Sequence, residues 1–159
     1  MSAYFNALRY SKWIVFTHLS LTLLQFPYRG PGALHTRFHH ALGAMYLMGR
    51  AIESLKLKGI EITNDEAEAV TLAILLHDIG HGPFSHALEF SLTKNVSHEE
   101  ISLLFMNKLN TIFNGRLQLA IDIFENKYQK KFLHQLVSSQ LDMDRLDYLK
   151  RDSFFYWRF

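Results

Sequence analysis

The segment LLHDIGHGPFSH, from Leu75 to His86, joins the apolar end of a predicted helix to three histidines and an aspartate. Neighbouring side chains on a helix point about 100° apart, so His77 and Asp78 cannot share one apolar face. A carboxylate among leucines is costly to bury unless a cation or a hydrogen-bond donor compensates it. A lone buried histidine is usually a satisfied core residue, but this His-Asp pair at a helix end favours a divalent metal site.

The sequence around this segment is helical, with breaks at capping residues, glycine and proline. Thr63 and Glu66 form a capping-box pair for a helix that runs to about His77, and the turn at 80–83 stops it. Further helices are predicted at about residues 36–57 (closed by Lys58-Gly59), Phe84 to Leu92, Ser97 to Asn110, Gly115 to Tyr128, Phe132 to Val137 and Met143 to Phe154. No alternating pattern indicates a strand, so the predicted fold is all-α, a bundle of about six to eight helices.

The composition indicates a globular protein and argues against certain kinds of binding site. The 159 residues, 48% of them hydrophobic, are enough for one domain with a core. Seventeen Lys and Arg against fifteen Asp and Glu give a net charge of +2, which argues against a dedicated nucleic-acid-binding surface. The chain has no cysteine, which excludes disulfides and thiolate metal sites and fits a cytoplasmic location.

One apolar segment near the N-terminus, WIVFTHLSLTLLQF from Trp13 to Phe26, follows Arg9 and Lys12 as a signal peptide would. It is too short to span a membrane, it carries His18, and no small-residue cleavage site follows it. We therefore predict a buried or partner-covered segment and no membrane association, with a targeting or membrane role as the alternative.

Two other parts of the chain offer ligands that could complete a metal site. His39 and His40 lie on the first long helix, in TRFHHALGAMY, and QLDMDRLDYLKRD near the C-terminus supplies several carboxylates. Asp144, Tyr148 and Asp152 are spaced at i, i+4 and i+8, near one helix face. A His and carboxylate metal site needs such third and fourth ligands, whereas the alternative is a solvated acidic and basic helix surface.

Together these segments resemble the HD superfamily of metal-dependent phosphohydrolases. TRFHHALG is similar to that family's R-F-x-H-S-L-G segment, and HDIGHGPFSH and QLDMDRLDYLKRDS resemble signature segments of its deoxynucleoside-triphosphate triphosphohydrolase branch. The HD pair alone is a weak motif, but HDxGHxPFSH followed by DxDRxDYLxRD is specific, and the likeness runs from about Gly32 to Phe154. The resemblance implies an HD-domain helical bundle and dGTPase-like hydrolysis of a dNTP to a deoxynucleoside and triphosphate.

The resemblance also implies roles for individual residues. One divalent ion (Mn, Fe, Mg, Co, Ni or Zn) would be held by His40, His77, Asp78 and Asp144. The implied catalytic residues are His81 beside the phosphate under attack, His86, Glu89, and His98 as a general acid oriented by Glu89. The implied substrate-binding residues are Arg37 and Arg145 at the phosphates, Tyr148 against the sugar and Asp152 near the sugar 3′-hydroxyl.

Both ends of the chain depart from the family's pattern. Residues 1–32 lack secure matches to the relatives' D-x-I-H-G opening and F-Q-R-L-R-x-I-x-Q-L-G helix, so a divergent N-terminal segment is predicted before an HD-domain core at 33–159. Relatives continue past R-D-S with a helical region that completes the substrate pocket and a homo-oligomer, so we predict a core truncated at its C-terminus. The alternatives are an HD phosphohydrolase of another nucleotide, and an inactive or regulatory HD-domain fragment.

Overall fold

The computed structural model describes residues 37–80 and 97–156, and within these ranges the chain is helical without any strand. The helices are α1 (Arg37–Leu57), α2 (Asn64–Leu76), α3 (His98–Ile112), α4 (Gln118–Phe124), α5 (Lys131–Val137) and α6 (Met143–Tyr156). The predicted all-α class is therefore confirmed. The predicted helix from Phe84 to Leu92 and the N-terminal segment, including Trp13 to Phe26, lie outside the described residues.

Side-chain caps determine where three of the helices begin. Thr63 and Glu66 form the predicted capping box of α2, in which each side chain accepts a hydrogen bond from the other residue's backbone N–H. Ser97 and Glu100 do the same for α3. The buried Asp142 carboxylate accepts from the backbone N–H of Arg145 in the first turn of α6 and from that of Ser139 in the preceding segment. These caps satisfy donors that have no partner within the helix.

The first helix ends where the sequence predicts. Gly59 adopts a left-handed conformation with φ +83°, and the N–H of Ile60 donates to the carbonyl of Leu55. This is the geometry of a glycine C-cap, which a residue with a side chain adopts only under strain.

The predicted helix from Gly115 to Tyr128 is too long. The structure forms only α4 there, because Gly115 and Asn126 have φ values of 83° and 57° and cannot continue a right-handed helix. The N–H of Lys127 donates to the carbonyl of Asp122, which closes α4 with the same kind of cap as α1.

The core surrounds α2, where Val70, Ala73 and Ile74 have no exposed surface. This helix packs against α1, α4 and α5, and α1 also packs against α6. Leu76, the last residue of α2, is 1% exposed. Burial of each large aliphatic side chain contributes roughly 1.5–3 kcal/mol, so packing holds the C-terminal end of α2 in place. Among the helices described, none has the length and hydropathy needed to cross a membrane.

A buried glutamate ties the start of α2 to the segment between α4 and α5. Glu66 is 3% exposed, and it accepts hydrogen bonds from the Tyr128 hydroxyl (2.6 Å) and the Lys130 ammonium (2.9 Å). Burial alone would raise its pKa, but the bonds from Tyr128, the Thr63 backbone and Lys130 outweigh burial and lower the pKa to about 2. Glu66 is therefore charged and fully paired inside the fold.

Candidate metal centre

Four side chains from three separate parts of the sequence converge at the C-terminal end of α2. His40 lies in the first turn of α1, His77 and Asp78 directly follow α2, and Asp144 lies in the first turn of α6. One nitrogen or carboxylate oxygen from each lies within 4.8 Å of those from the other three. The structure thus brings together the four residues that sequence analysis names as metal ligands.

The ring of His77 is oriented by the backbone of its own helix. Its Nδ1–H donates to the carbonyl of Ile74 at 2.6 Å, which leaves Nε2 facing the cluster. This Nε2 is 3.2 Å from Oδ1 of Asp144 and 3.4 Å from Oδ1 of Asp78. In the described part of the chain, it is the buried side-chain polar atom that has no hydrogen-bond partner. Two carboxylates facing this nitrogen favour a positive charge between them, either a proton on Nε2 or a bound cation.

The ring of His40 contacts a carboxylate through each nitrogen. Nε2 lies 2.5 Å from Oδ1 of Asp144, and Nδ1 lies 2.7 Å from Oδ2 of Asp147. Asp147 is 5% exposed and also accepts from Nε of Arg151 at 2.5 Å. The other end of the Arg151 guanidinium donates to the backbone carbonyl of His39. The first turn of α1 is therefore joined to α6 by three polar contacts.

The electrostatics of the cluster favour positive charge at its centre. Burial lowers the pKa of His40, but hydrogen bonds to Asp144 and Asp147 outweigh burial and raise the pKa to about 9. The pKa of His77 is also raised, because the charges of Asp78 and Asp144 exceed the effect of burial. Burial raises the pKa of Asp144, yet both histidines hold that pKa well below its usual range. The carboxylates thus stay ionised and attract positive charge.

The donor set fits a divalent transition-metal ion. Two imidazole nitrogens and two carboxylate oxygens suit Mn, Fe, Co, Ni or Zn, and suit Mg less well. The charges of Asp78 and Asp144 would balance those of a dication. His77 and His40 each hydrogen-bond through the second ring nitrogen, to a backbone carbonyl and a carboxylate respectively, as metal-ligating histidines almost always do.

The start of α3 packs directly on the turn that follows Asp78. The N–H of Gly80 donates to the Ser102 hydroxyl at 2.9 Å, and that hydroxyl donates to the carbonyl of His77 at 2.7 Å. A Cβ on Gly80 would overlap the backbone carbonyl oxygen of His98. His98 is the first residue of α3 and is half-buried. The predicted general acid is thus anchored through its backbone to the turn beside Asp78.

The remaining predicted site residues divide between α6, the start of α1 and the segment before α3. Arg145 and Tyr148 are exposed on α6, one and four residues after Asp144. Arg37 opens α1 and Asp152 lies on α6. Outside the described residues lie His81, His86 and Glu89.

Three residues around the site were not assigned to it from sequence. Asp147 and Arg151 follow Asp144 at i+3 and i+7, a spacing that keeps them near one side of α6 and could have indicated their involvement. Ser102 is fully buried and acts through backbone groups, so nothing in its sequence context pointed to the site.

The sequence profile of the HD domain matches residues 37–152. The chain belongs to the HD-domain family. The match extends from the first residue of α1 well into α6, so it includes all four clustered residues. The resemblance described under Sequence analysis is thereby confirmed.

One solved structure is similar to this chain in both fold and sequence. A crystal structure of a phosphohydrolase from Bacteroides thetaiotaomicron is 59% identical in sequence and superposes with a TM-score of 0.80. The similarity covers 87% of this chain and 36% of that chain. The two proteins are therefore similar in sequence as well as in helical architecture.

Curated relatives include uncharacterised proteins and triphosphohydrolases. An uncharacterised protein of Mycoplasma pneumoniae is 39% identical over 143 residues, covering 79% of this chain and 33% of the relative. The deoxynucleoside triphosphate triphosphohydrolase SAMHD1 homolog of Dictyostelium discoideum is 33% identical over 147 residues, covering 80% and 29%. This HD domain thus spans about a third of the length of the relatives that it matches.

Proposed function

We propose that this HD domain is the metal-binding core of a hydrolase that converts a dNTP to a deoxynucleoside and triphosphate. The convergence of His40, His77, Asp78 and Asp144 carries the proposal, because these donors are close enough to one another to hold a divalent cation. Relatives named as deoxynucleoside triphosphate triphosphohydrolases align over about four-fifths of the chain, and the similar solved structure is named a phosphohydrolase.

The reaction requires a nucleophile, charge stabilisation and a proton for the leaving group. A divalent cation held by the four ligands would act as a Lewis acid on a phosphoryl oxygen and supply a nucleophile at neutral pH. Water adds to the α-phosphorus, the bond from that phosphorus to the sugar 5′-oxygen breaks, and the 5′-oxygen takes a proton. The products are the deoxynucleoside and a triphosphate that carries the oxygen of the water.

We assign the proton donation to His98, with Glu89 orienting its ring. A histidine beside a carboxylate is a common general acid at neutral pH. The assignment is supported by the first turn of α3, which packs on Gly80 two residues after Asp78. By the resemblance of the HDIGHGPFSH segment to the family's signature, we place His81 and His86 at the substrate phosphates.

The substrate is proposed to lie along the start of α6. Arg145 directly follows Asp144 and Tyr148 lies one helical turn beyond it, and both side chains are exposed to a ligand. Arg145 would bind phosphate oxygens together with Arg37, since guanidinium groups form strong paired bonds with phosphate. Tyr148 would contact the sugar and Asp152 its 3′-hydroxyl.

Product analysis tests this function. The purified chain is incubated with Mn²⁺, Mg²⁺, Fe²⁺ or Co²⁺ and each of the four dNTPs, and the products are separated by anion exchange. Release of inorganic triphosphate with the deoxynucleoside is the expected result. Monophosphate or pyrophosphate products would instead indicate an HD phosphohydrolase of another nucleotide. Metal binding without turnover of any dNTP would indicate an inactive or regulatory HD-domain fragment and would contradict the proposed reaction for this chain.

A further inference from the structure

Asp147 is a buried carboxylate to which the proposed reaction gives no part. Its Oδ2 accepts hydrogen bonds from Nδ1 of His40 at 2.7 Å and from Nε of Arg151 at 2.5 Å. It contacts the ring nitrogen of His40 that does not face Asp144. A buried carboxylate is costly unless donors satisfy it, and here two donors converge on one oxygen.

Arg151 holds this carboxylate and ties it to α1. It follows Asp147 by one helical turn, so the two side chains lie on one face of α6. Nη2 of the same guanidinium donates to the backbone carbonyl of His39, the residue before His40. Arg151 therefore fixes the carboxylate relative to the backbone that carries the His40 ring, and it offsets the carboxylate charge.

A glycine provides the space that this pair occupies. Gly43 lies on α1 three residues after His40. A Cβ at Gly43 would overlap the Asp147 carboxylate and the Arg151 guanidinium. Any larger residue at this position would displace the pair from His40. Gly43 on α1 thus leaves room for Asp147 and Arg151 on α6 to pack beside Nδ1 of His40.

The charges separate Asp147 from the ligand set. The two carboxylates of the cluster, Asp78 and Asp144, are enough to balance a dication. The charge of Asp147 is already balanced by Arg151. Asp147 therefore contacts the His40 nitrogen that faces away from the cluster. Its negative charge does not need the cation to balance it.

We propose that Asp147 is a positioning residue that keeps the proton of His40 on Nδ1 and directs Nε2 at the divalent cation, with Arg151 and Gly43 holding Asp147 in place. A hydrogen bond of this kind orients a ligating imidazole and increases its basicity. The inference rests on the metal site of the proposed function.

Cobalt titration of the full chain tests the proposal. Co²⁺ is added to the wild-type protein and to Asp147→Asn, with the visible absorption of the bound ion as the readout. The dissociation constant of Asp147→Asn should rise by about 10- to 100-fold, and its spectrum at saturation should shift as His40 reorients. The matched control is Glu66→Gln, since Glu66 is also a buried carboxylate paired with a basic side chain, Lys130, but lies at the end of α2 away from the cluster. In the folded protein this control should leave the Co²⁺ affinity and the spectrum unchanged.

Asp147→Asn leaves Arg151 without its carboxylate partner and could therefore unfold the protein. A second variant separates this effect from an effect on the metal site. The double variant Asp147→Asn with Arg151→Gln removes both charges and should bind Co²⁺ equally weakly while keeping its helical circular dichroism. Wild-type affinity and spectrum in either folded variant would overturn the positioning role and leave the metal site standing. Failure of the wild-type protein to bind Co²⁺ would refute the metal site and the positioning role together.

Discussion

His77 makes one contact within its own helix end and directs its other ring nitrogen into the candidate metal site. Its Nδ1 is bonded to the Ile74 carbonyl, and its Nε2 is buried between the carboxylates of Asp78 and Asp144. The bond from Nδ1 is part of the helix end. The approach of Nε2 to the two carboxylates is favourable only when a positive charge lies between them. A structural histidine in the core would satisfy both nitrogens with protein groups.

Replacing His98 by alanine should separate metal binding from turnover. We expect His98→Ala to bind Mn²⁺ as the wild type does and to lose about 10²–10⁴-fold in turnover, because it removes the proton donor and no ligand. Equilibrium dialysis and a triphosphate-release assay measure the two effects. His134→Ala is the control, since the His134 ring bonds to the carbonyl of Ile123 between α4 and α5. Loss of metal in His98→Ala would make His98 a ligand and contradict its assignment.

The site role of a residue was predicted from sequence where a motif identifies that residue. It was missed where the role depends on how two helices pack. The DMDRLDYLKRD segment carries several aspartates, and the resemblance singles out Asp144. That Asp147 faces His40 depends on how α6 is rotated against α1, which the segment alone does not reveal. The spacing of Asp147 from Asp144 and the glycine at position 43 are hints, and their meaning is visible once the two helices are packed together.

At the scale of elements, the contact between α3 and the turn after α2 should not accept a side chain at position 80. Gly80→Ala would place a Cβ against the His98 carbonyl oxygen and the Ser102 backbone nitrogen, which cannot move without shifting α3. We expect a loss of about 1–3 kcal/mol in unfolding free energy, together with weaker Mn²⁺ binding as the turn bearing Asp78 moves. Urea unfolding and metal titration measure these changes.

Gly115→Ala is the matched control for that substitution. Gly115 has φ +83° and open space around its Cβ position, so alanine there costs stability through backbone strain alone. Its metal affinity should equal that of the wild type. Equal metal affinity in both alanine variants would argue against any influence of the α3 contact on the site.

The link from α2 to the α4–α5 segment should depend on pH. The pKa of Glu66 is about 2 in the fold against an ordinary value of 4.5, so its contribution is complete above pH 4.5 and is lost as the pH falls toward 2. A shift of this size corresponds to roughly 3 kcal/mol at neutral pH. Glu66→Gln should therefore be clearly less stable than the wild type at pH 7, with the difference shrinking by pH 2.5.

Urea unfolding at several pH values measures this difference. Glu68→Gln is the control, because Glu68 is exposed on the same helix and its replacement should have little effect at any pH. A gap between wild type and Glu66→Gln that stays constant from pH 7 to 2.5 would show that the carboxylate charge is not what stabilises this link.

Helix boundaries follow from sequence when a residue type strongly favours a helix end, and they become uncertain when the residue is also tolerated inside a helix. The capping boxes at Thr63 and Ser97 and the glycine at position 59 are of the first kind, and all three were predicted correctly. Asn126 is of the second kind, because asparagine is compatible with a helix interior and also with the left-handed turn that it adopts here. The overextended prediction for α4 has this cause.

For the whole molecule, a bound cation should act as a cross-link between α1, α2 and α6. Adding Mn²⁺ at about 100 times its dissociation constant should raise the unfolding free energy by about 2.7 kcal/mol, which appears as a higher Tm. Asp78→Ala should lose this increase, and the control Asp65→Ala, an exposed aspartate at the other end of α2, should keep it. An equal Tm increase in Asp78→Ala would indicate that the metal binds elsewhere.

The ligands of the proposed centre are far apart in the chain, and this affects how the protein is made. His40 and Asp144 are separated by 104 residues, yet their side chains are in contact. At ordinary translation rates of about 5–20 residues per second, α1 leaves the ribosome several seconds before α6 does. During that interval His40 has no partner carboxylate from α6. The complete set of proposed ligands would therefore come together only after α6 has emerged, and a product that ends before α6 would lack Asp144.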